Sequence, residues 1–584
     1  MASLMSLESV RVPIYGHGFS AENVCSQVQK SVDSVADLLS ALREHLNTFN
    51  RVHRLPPELL SLIFEMIAHI PNRHEDIFNF DKLTSEEYTR ARPPSSGIAT
   101  IAHVCKRWRA VALSTPSLWT YVSALPGSDQ FRAYVERSLS LPLSVSVGTD
   151  APHLQESLSS VGPRLRRLDL AINGSVEDDI HTSVLRIEAP SVRCATLMCS
   201  PECSSEVLEV VVSLEVEWVE LFGQRKSSLE ALALSLATNW LPSNTFTQLT
   251  HLVLSCNPDI LSTSRTGLLT LLANAPRLEF LHILRLWYSG TDGMTVALDH
   301  LRSLVFDSTH WDSVLPFFAR LLIPAATPVA VLNAPPMAVA PLSPPLDSSS
   351  SVTSLAIYSK GSTLQINAKS ALRDYLLHGE SDCDGFYKFD DIVCSLHDLL
   401  SLSTVTSLTL SHGDVDVVPL LQHFHQVSDL ELHSSGSPHG RTTVQEVLQS
   451  VESDGWLPAL SSFTLRVHGP ITYEISILGA AAQMLRTRAR MDPGHPVRRV
   501  VVQLCDRARD PAARVAYESD KIRANFAPHV EEFEVREVPR PTGQPKRWMV
   551  EGAEKYWTLY DRAKPEYLGP WHSGDSSGGW TDGR

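Results

Sequence analysis

Signatures of chemistry are scarce in this 584-residue chain. It contains no GxGxxG and no GxxxxGK[ST] loop, so it lacks the glycine-rich cradle that nucleotide-binding sheets set at a helix N-terminus. It has no HExxH pair, and Gly16-His17-Gly18-Phe19-Ser20 does not spell the G-x-S-x-G turn that exposes a nucleophilic serine. The nine cysteines are scattered. Their densest set, Cys194, Cys199 and Cys203, is spaced C-x4-C-x3-C, without the paired C-x2-C knuckles of a zinc site. Cys194 and Cys199 also lie an odd number of residues apart in or just after a strand, which puts them on opposite faces. His423 and His425 stand at i, i+2, a spacing that does not share one helix face. Asp390-Asp391 and Asp414/Asp416 fall in polar loops. All these groups are read as core or surface side chains, and no catalytic residue, metal or cofactor is expected.

Two further absences bear on compartment and partners. The first twenty residues show no basic start followed by an apolar core, the pattern of a secretory leader. The uncharged stretch 321–342 holds Pro324, Pro328, Pro335, Pro336 and Pro341. Each interior proline costs a helix about 3 kcal/mol, so this stretch is not expected to span a membrane. Without a leader the cysteines are expected as reduced thiols, in the cytoplasm or nucleus. Lys and Arg number 50 against 65 Asp and Glu, a formal charge of −15, which disfavours nucleic acid or an anionic membrane as the main partner.

What is present is a globular composition, 43% hydrophobic and 20% charged, in a chain long enough for two or three units or a repeat array. Residues 1–20 are expected to be disordered. Within 21–50, Val28, Val32, Val35, Leu39, Leu42 and Leu46 alternate steps of four and three, a heptad seam on one helix. That seam either packs back on the module that follows or drives self-association through 28–46. The module, over 51–125, has two apolar halves. In the first, Leu55-Pro56-Pro57-Glu58 opens a helix, proline being tolerated in a first turn, and Leu59, Leu62, Ile63, Met66 and Ile67 form one stripe. In the second, a single helix is expected with Ile98, Ile101, Ala102, Cys105 and Trp108 on one face and Val104, Trp108 and Val111 along another. Pro116 ends it, and Ser117-Leu118-Trp119 follows as a hydrophobic hook. Helices this short and this apolar need a partner to cover the excess.

The pattern Leu55-Pro56-x-Glu58-Leu59-Leu60-x-x-Ile63-Phe64, then Val104-Cys105-Lys106-x-Trp108-Arg109-x-Val111-Ala112 and Pro116-x-Leu118-Trp119, resembles the F-box. It departs from the usual short connection by a polar loop at 71–96, as in large fungal F-box families. The resemblance implies docking to a Skp-type adaptor within a cullin–RING ubiquitin ligase. The residues it implies at that interface are Leu55, Pro56, Leu59, Ile63, Phe64, Val104, Trp108, Leu118 and Trp119.

Within a domain taken as 126–538, a short motif recurs to about residue 505, two or three residues and then Leu-x-Leu or a variant, at 165–170, 192–197, 229–234, 249–254, 278–283, 301–306, 352–357, 405–410, 427–432, 460–465 and 499–504. A further strand is expected at 141–147. Helical segments are expected at 266–274, 313–322, 417–423 and 475–490. Strand and helix at a period of about 20–30 residues predict an α/β leucine-rich-repeat-like solenoid, each unit burying its leucines only against its neighbours. A doubly wound α/β enzyme would alternate similarly but usually carries a phosphate loop. Residues 323–351, rich in proline, are expected as a flexible insert, 379–391 as an acidic loop, and 539–584 as a tryptophan-containing, partly disordered tail. The polar positions between strand leucines should point outward on a concave face. These are Arg167 and Asp169, Ala231 and Ala233, His251 and Val253, Phe280 and His282, Ser303 and Val305, Ser407 and Thr409, Asp429 and Glu431. The expected target-binding patch is His251, Val253, Phe280 and His282, where apolar groups would stand exposed among polar ones. The reading is a non-catalytic substrate receptor for an unidentified protein, with a ligase-independent F-box scaffold as the alternative.

Overall fold

The structure, a computed structural model, describes residues 21–68, 96–123, 126–148, 153–172, 180–199, 217–223, 225–236, 240–256, 265–286, 288, 294–309, 311–332, 351–360, 363–380, 393, 396–397, 400–412, 415–434, 438–453, 455–468, 471–491, 497–505, 520–538 and 550–557. The expectations for 1–20, for nearly all of the 71–96 loop, for the Pro-rich stretch between 333 and 350, for 381–391, and for 539–549 and 558–584 lie outside them. The described residues form two units, one within 1–72 and 92–143, the other within 144–584.

The first unit is helical: α1 (Ala21–Thr48), α2 (Pro57–Ala68), α3 (Ser96–Val104), α4 (Lys106–Leu113), a 3-10 turn (Pro116–Trp119) and α5 (Asp129–Arg137). The heptad seam of α1 does not pack back on the module. Val28, Val32, Val35, Leu39, Leu42 and Leu46 are all exposed. The helix meets the module at its C-terminal end, where Glu44 faces Lys106 at 3.5 Å. Pro57 is the first residue of α2, where its missing N–H has no carbonyl to meet. The single helix expected across 98–111 is broken at Cys105. Its extended backbone (φ −160°) caps α4, with the thiol accepting the Trp108 N–H at 3.4 Å.

The second unit is organised by one long sheet. Strands β1 (Leu165–Ile172), β2 (Cys194–Cys199), β3 (Ala231–Leu236), β4 (His251–Cys256), β5 (Phe280–Leu284), β6 (Ser303–Asp307) and β7 (Val329–Leu332) pair in chain order, each parallel to the last. The strand expected at 141–147 is found at Leu143–Gly148. Helices Arg265–Ala273 and Trp311–Phe318 carry the chain back between strands. The order then inverts. Strands β8 (Val352–Lys360), β9 (Thr363–Ser370) and β10 (Asp374–Glu380) form an antiparallel meander laid down backwards. Its last strand, β10, pairs with β7, and its first, β8, pairs with β11 (Ser407–His412). Parallel addition resumes through β12 (Asp429–Ser434), β13 (Ser462–His468), β14 (Arg499–Cys505) and β15 (Glu532–Val538). Helices Pro438–Ser453 and Ile471–Met491 join the later strands.

Register explains the leucine spacing. Leu168, Ala195, Leu232, Leu252, Leu281, Leu304 and Val329 stand at one level across seven strands. Leu355, Leu408, Leu430, Phe463 and Val500 do the same beyond the meander. All are buried. Alternate strand positions face one way, so apolar residues at one spacing build a continuous layer from successive strands. The flexible insert expected over 323–351 is corrected in part: Val329–Leu332 is the buried strand β7, short enough to escape a Leu-x-Leu template.

Candidate partner-binding surfaces

In the helical unit the structure divides the nine implied adaptor residues into two groups. Phe64, Leu118 and Trp119 are buried, with Leu60, Ile98 and Ile101. Phe64 lies 5.0 Å from the half-buried Trp108, centroid to centroid. Trp119 packs edge-on to Tyr134 at 5.0 Å and donates its indole N–H to the Ala112 carbonyl at 2.9 Å. These residues pack inside the module. Leu59 (45% exposed), Ile63 (38%) and Val104 (54%) stand in the open, Pro56 is exposed and Leu55 half-exposed. Arg107 fixes the entry to α2 by donating to the Leu55 carbonyl at 2.6 Å and to the His53 carbonyl. The stripe Leu59, Leu62, Ile63, Met66 and Ile67, expected to need a partner's cover, lies outward, and the Leu60/Phe64 line lies inward. An exposed row of large apolar side chains on a short helix is a surface awaiting a cover.

The sheet carries a second candidate surface, and here the expectation of exposed residues is corrected. His251, Val253, Phe280 and His282 are 2–6% exposed, and Ala231, Ala233 and Val305 are buried with them. They do face away from the leucine layer, but a stretch of the chain's own tail, 550–557, covers them. Ala553 and Trp557 join Cys194, Ala231, Ala233, Val253, Phe280 and Val305 in one apolar cluster, with Val550 and Tyr556 against its edge. Small side chains at neighbouring levels, Cys194 beside Ala231 and Thr196 beside Ala233, leave the hollow that the indole fills. Trp557 donates its N–H to Thr196 Oγ1 at 3.0 Å. Tyr556 donates its hydroxyl to Glu230 at 2.6 Å, and burial together with that carboxylate pushes its pKa up.

Main-chain carbonyls of the segment are read by side chains of the sheet. His251 Nε2 donates to Gly552 at 2.8 Å, Arg167 to Tyr556 at 3.2 Å, and Arg302 to Glu551 at 3.4 Å. Burial holds the His251 imidazole below its ordinary pKa, against the opposing pull of the Gly552 carbonyl. Two features favour glycine at 552. Its φ is +95°, and a Cβ there would meet Phe280 Cζ at 3.2 Å. Fully burying an aromatic side chain contributes roughly 1.5–3 kcal/mol, so Trp557 is the main anchor. The Cys194 thiol packs beneath this segment; the Cys199 side chain and Cys203 lie outside the described residues.

Beyond the meander the same face is polar. Glu431 accepts from His433 at 2.8 Å and faces Arg466 at 3.0 Å; Arg466 in turn donates to Gln503 at 3.0 Å. The His433 hydrogen bond and the Arg466 charge hold the Glu431 carboxyl below its usual pKa, while burial, with Glu431 nearby, pushes Tyr358 up to about 12. Ser407, Thr409 and Asp429 are half-buried or exposed here. Among the described residues no group of three or more His, Cys, Asp or Glu side chains could hold a metal ion, and no helix is long and apolar enough to cross a membrane.

Compared with known protein families, residues 52–124 match the family described as F-box-like. The chain therefore carries an F-box-like domain, coincident with the helical module, followed by a long and mostly parallel sheet. No curated protein matches the chain.

Proposed function

We propose that this chain is the substrate-recognition subunit of a cullin–RING ubiquitin ligase, docking to a Skp-type adaptor through the F-box-like domain and holding a target protein on the solenoid sheet. The F-box-like match over 52–124 carries this reading, and the uncovered stripe on α2 supports it. The chain itself makes no bond. It raises the effective concentration of target lysines near the ligase. Leu55→Ala with Pro56→Ala is expected to lower adaptor capture about thirtyfold or more, since truncating an interface anchor commonly costs about 2 kcal/mol. Capture unchanged in a pull-down removes the proposal. Co-purification of the cullin with the adaptor supports the ligase role; adaptor alone identifies a ligase-independent scaffold.

Self-association belongs to the same proposal, because the α1 seam stands exposed along its length. Val at 28, 32 and 35 with Leu at 39, 42 and 46 suits a coiled coil between two copies. Sedimentation should give a dimer mass for the native chain and a monomer mass for Leu39→Asp/Leu42→Asp. A native chain that sediments as a monomer at micromolar concentration rules the dimer out.

A further inference from the structure

We propose that the apolar half of the sheet face is a peptide-binding groove, that residues 550–557 are its internal occupant, and that the target competing for it is a linear peptide of the form Gly-Ala-x-x-Tyr-Trp. Three observations carry this. First, the segment is held the way a ligand is held. Its backbone-to-backbone hydrogen bonds are within the segment, Ala553 N–H to the Val550 carbonyl and Lys555 N–H to the Gly552 carbonyl, both at 3.1 Å. Among the described residues no backbone-to-backbone bond joins it to a strand. It can therefore leave without breaking the sheet's ladder. Second, recognition divides as it does in peptide sites. Arg167, His251 and Arg302 read main-chain carbonyls, which any sequence offers. Thr196, Glu230 and the ring of Phe280 read the indole, the phenol and the glycine, which few sequences offer together. Third, the face beneath is apolar without the segment. Ala231, Ala233, Val253, Phe280 and Val305 form a patch of the kind that marks a protein-binding surface. With the segment docked, a small cleft remains between Phe280, His282, Ser303 and Trp557.

A covalently attached occupant acts at an effective concentration that a free peptide matches only near the millimolar range. The groove is then closed to weak ligands and open to a target that matches the segment's anchors and binds more tightly. This inference deepens the receptor reading and rests on it only for the partner's role, since peptide binding needs no adaptor.

The test uses the full-length chain with Tyr556→Ala and Trp557→Ala, which empties the groove without shortening the protein. A fluorescent peptide of residues 550–557 is titrated by anisotropy. Saturable binding is expected to the variant and binding at least about tenfold weaker to the native chain, where the internal copy competes. A peptide with both aromatics changed to alanine should not bind either protein. Equal affinity for native and variant chains, or no binding to a variant that melts like the native chain, overturns the groove. If the double variant does not fold, the same titration on Gly552→Val decides, because its side chain would run into Phe280 and loosen the segment while keeping the aromatics. Failure of both variants to fold shows that 550–557 is part of the core, which also overturns the proposal. Adaptor capture by the double variant should be unchanged, so loss of the groove and loss of the ligase reading give separate results.

Discussion

Phe64→Ala should unfold the F-box-like unit, and Ile63→Asp, one residue away, should leave it folded and unable to hold the adaptor. Phe64 is fully buried and packs on Trp108 at 5.0 Å. Cutting a buried phenylalanine to alanine costs about 3–5 kcal/mol, from lost transfer energy and from the cavity left behind. A helical unit this small has little stability in reserve. Ile63 is 38% exposed, so on the free chain an aspartate carboxylate there can reach water. In the complex the same change buries a carboxylate against an apolar partner, which is unfavourable unless the charge is paired. Hydrogen exchange over 57–68 and 96–119 should lose protection in Phe64→Ala and keep it in Ile63→Asp. Adaptor pull-down should fail in both. If Phe64→Ala stays protected, the assignment of inner and outer faces on α2 is reversed.

Phe463→Ala should weaken the far half of the sheet more than the near half. Phe463 stands between Leu430 and Val500 in the buried ladder, with no exposed surface. The loss is again about 3–5 kcal/mol. In a sheet whose strands pair in succession, each strand packs mainly on its neighbours, so damage at β13 is felt first by the strands beside it. Exchange should therefore quicken in β14 and β15, while β1 to β6 remain protected. Uniform loss across the sheet would show that the array unfolds as one cooperative block.

The leucine layer could be read from the sequence because it is local. Leu229, Leu232 and Leu234 declare a strand and its buried side within six residues, and all three are fully buried. Alternation in Thr363–Ser370, with Leu364, Ile366 and Ala368 inward, is an equally good strand signal that a Leu-x-Leu template passes over. The faces of α2 were harder to assign. A helix apolar on every side satisfies the 3.6-residue period with more than one stripe, and only packing decides which stripe is inside. The break at Cys105 carries no glycine or proline to announce it. On the sheet, the outward direction of His251, Val253, Phe280 and His282 was legible, but their burial was not. It depends on Gly552, Tyr556 and Trp557, some three hundred residues further along the chain. Nothing in the spacing of either stretch refers to the other.

The backward meander has a consequence for how this protein emerges and assembles. Up to β7 every new strand finds a finished edge waiting beside it, so the array can lengthen as the chain is made. At β8 that stops. The strand next in sequence belongs three places from β7, with two strands between, and the place beside β7 is filled by β10, the last of the three. All three must be synthesised and folded together before growth resumes on β8 with β11. The antiparallel pairs within the meander are local, and bringing β10 back to β7, Tyr375 against Val329, is the slower, entropically opposed step. The unpaired edge of β7 waits in the meantime, and an open strand edge is where chains mispair with one another.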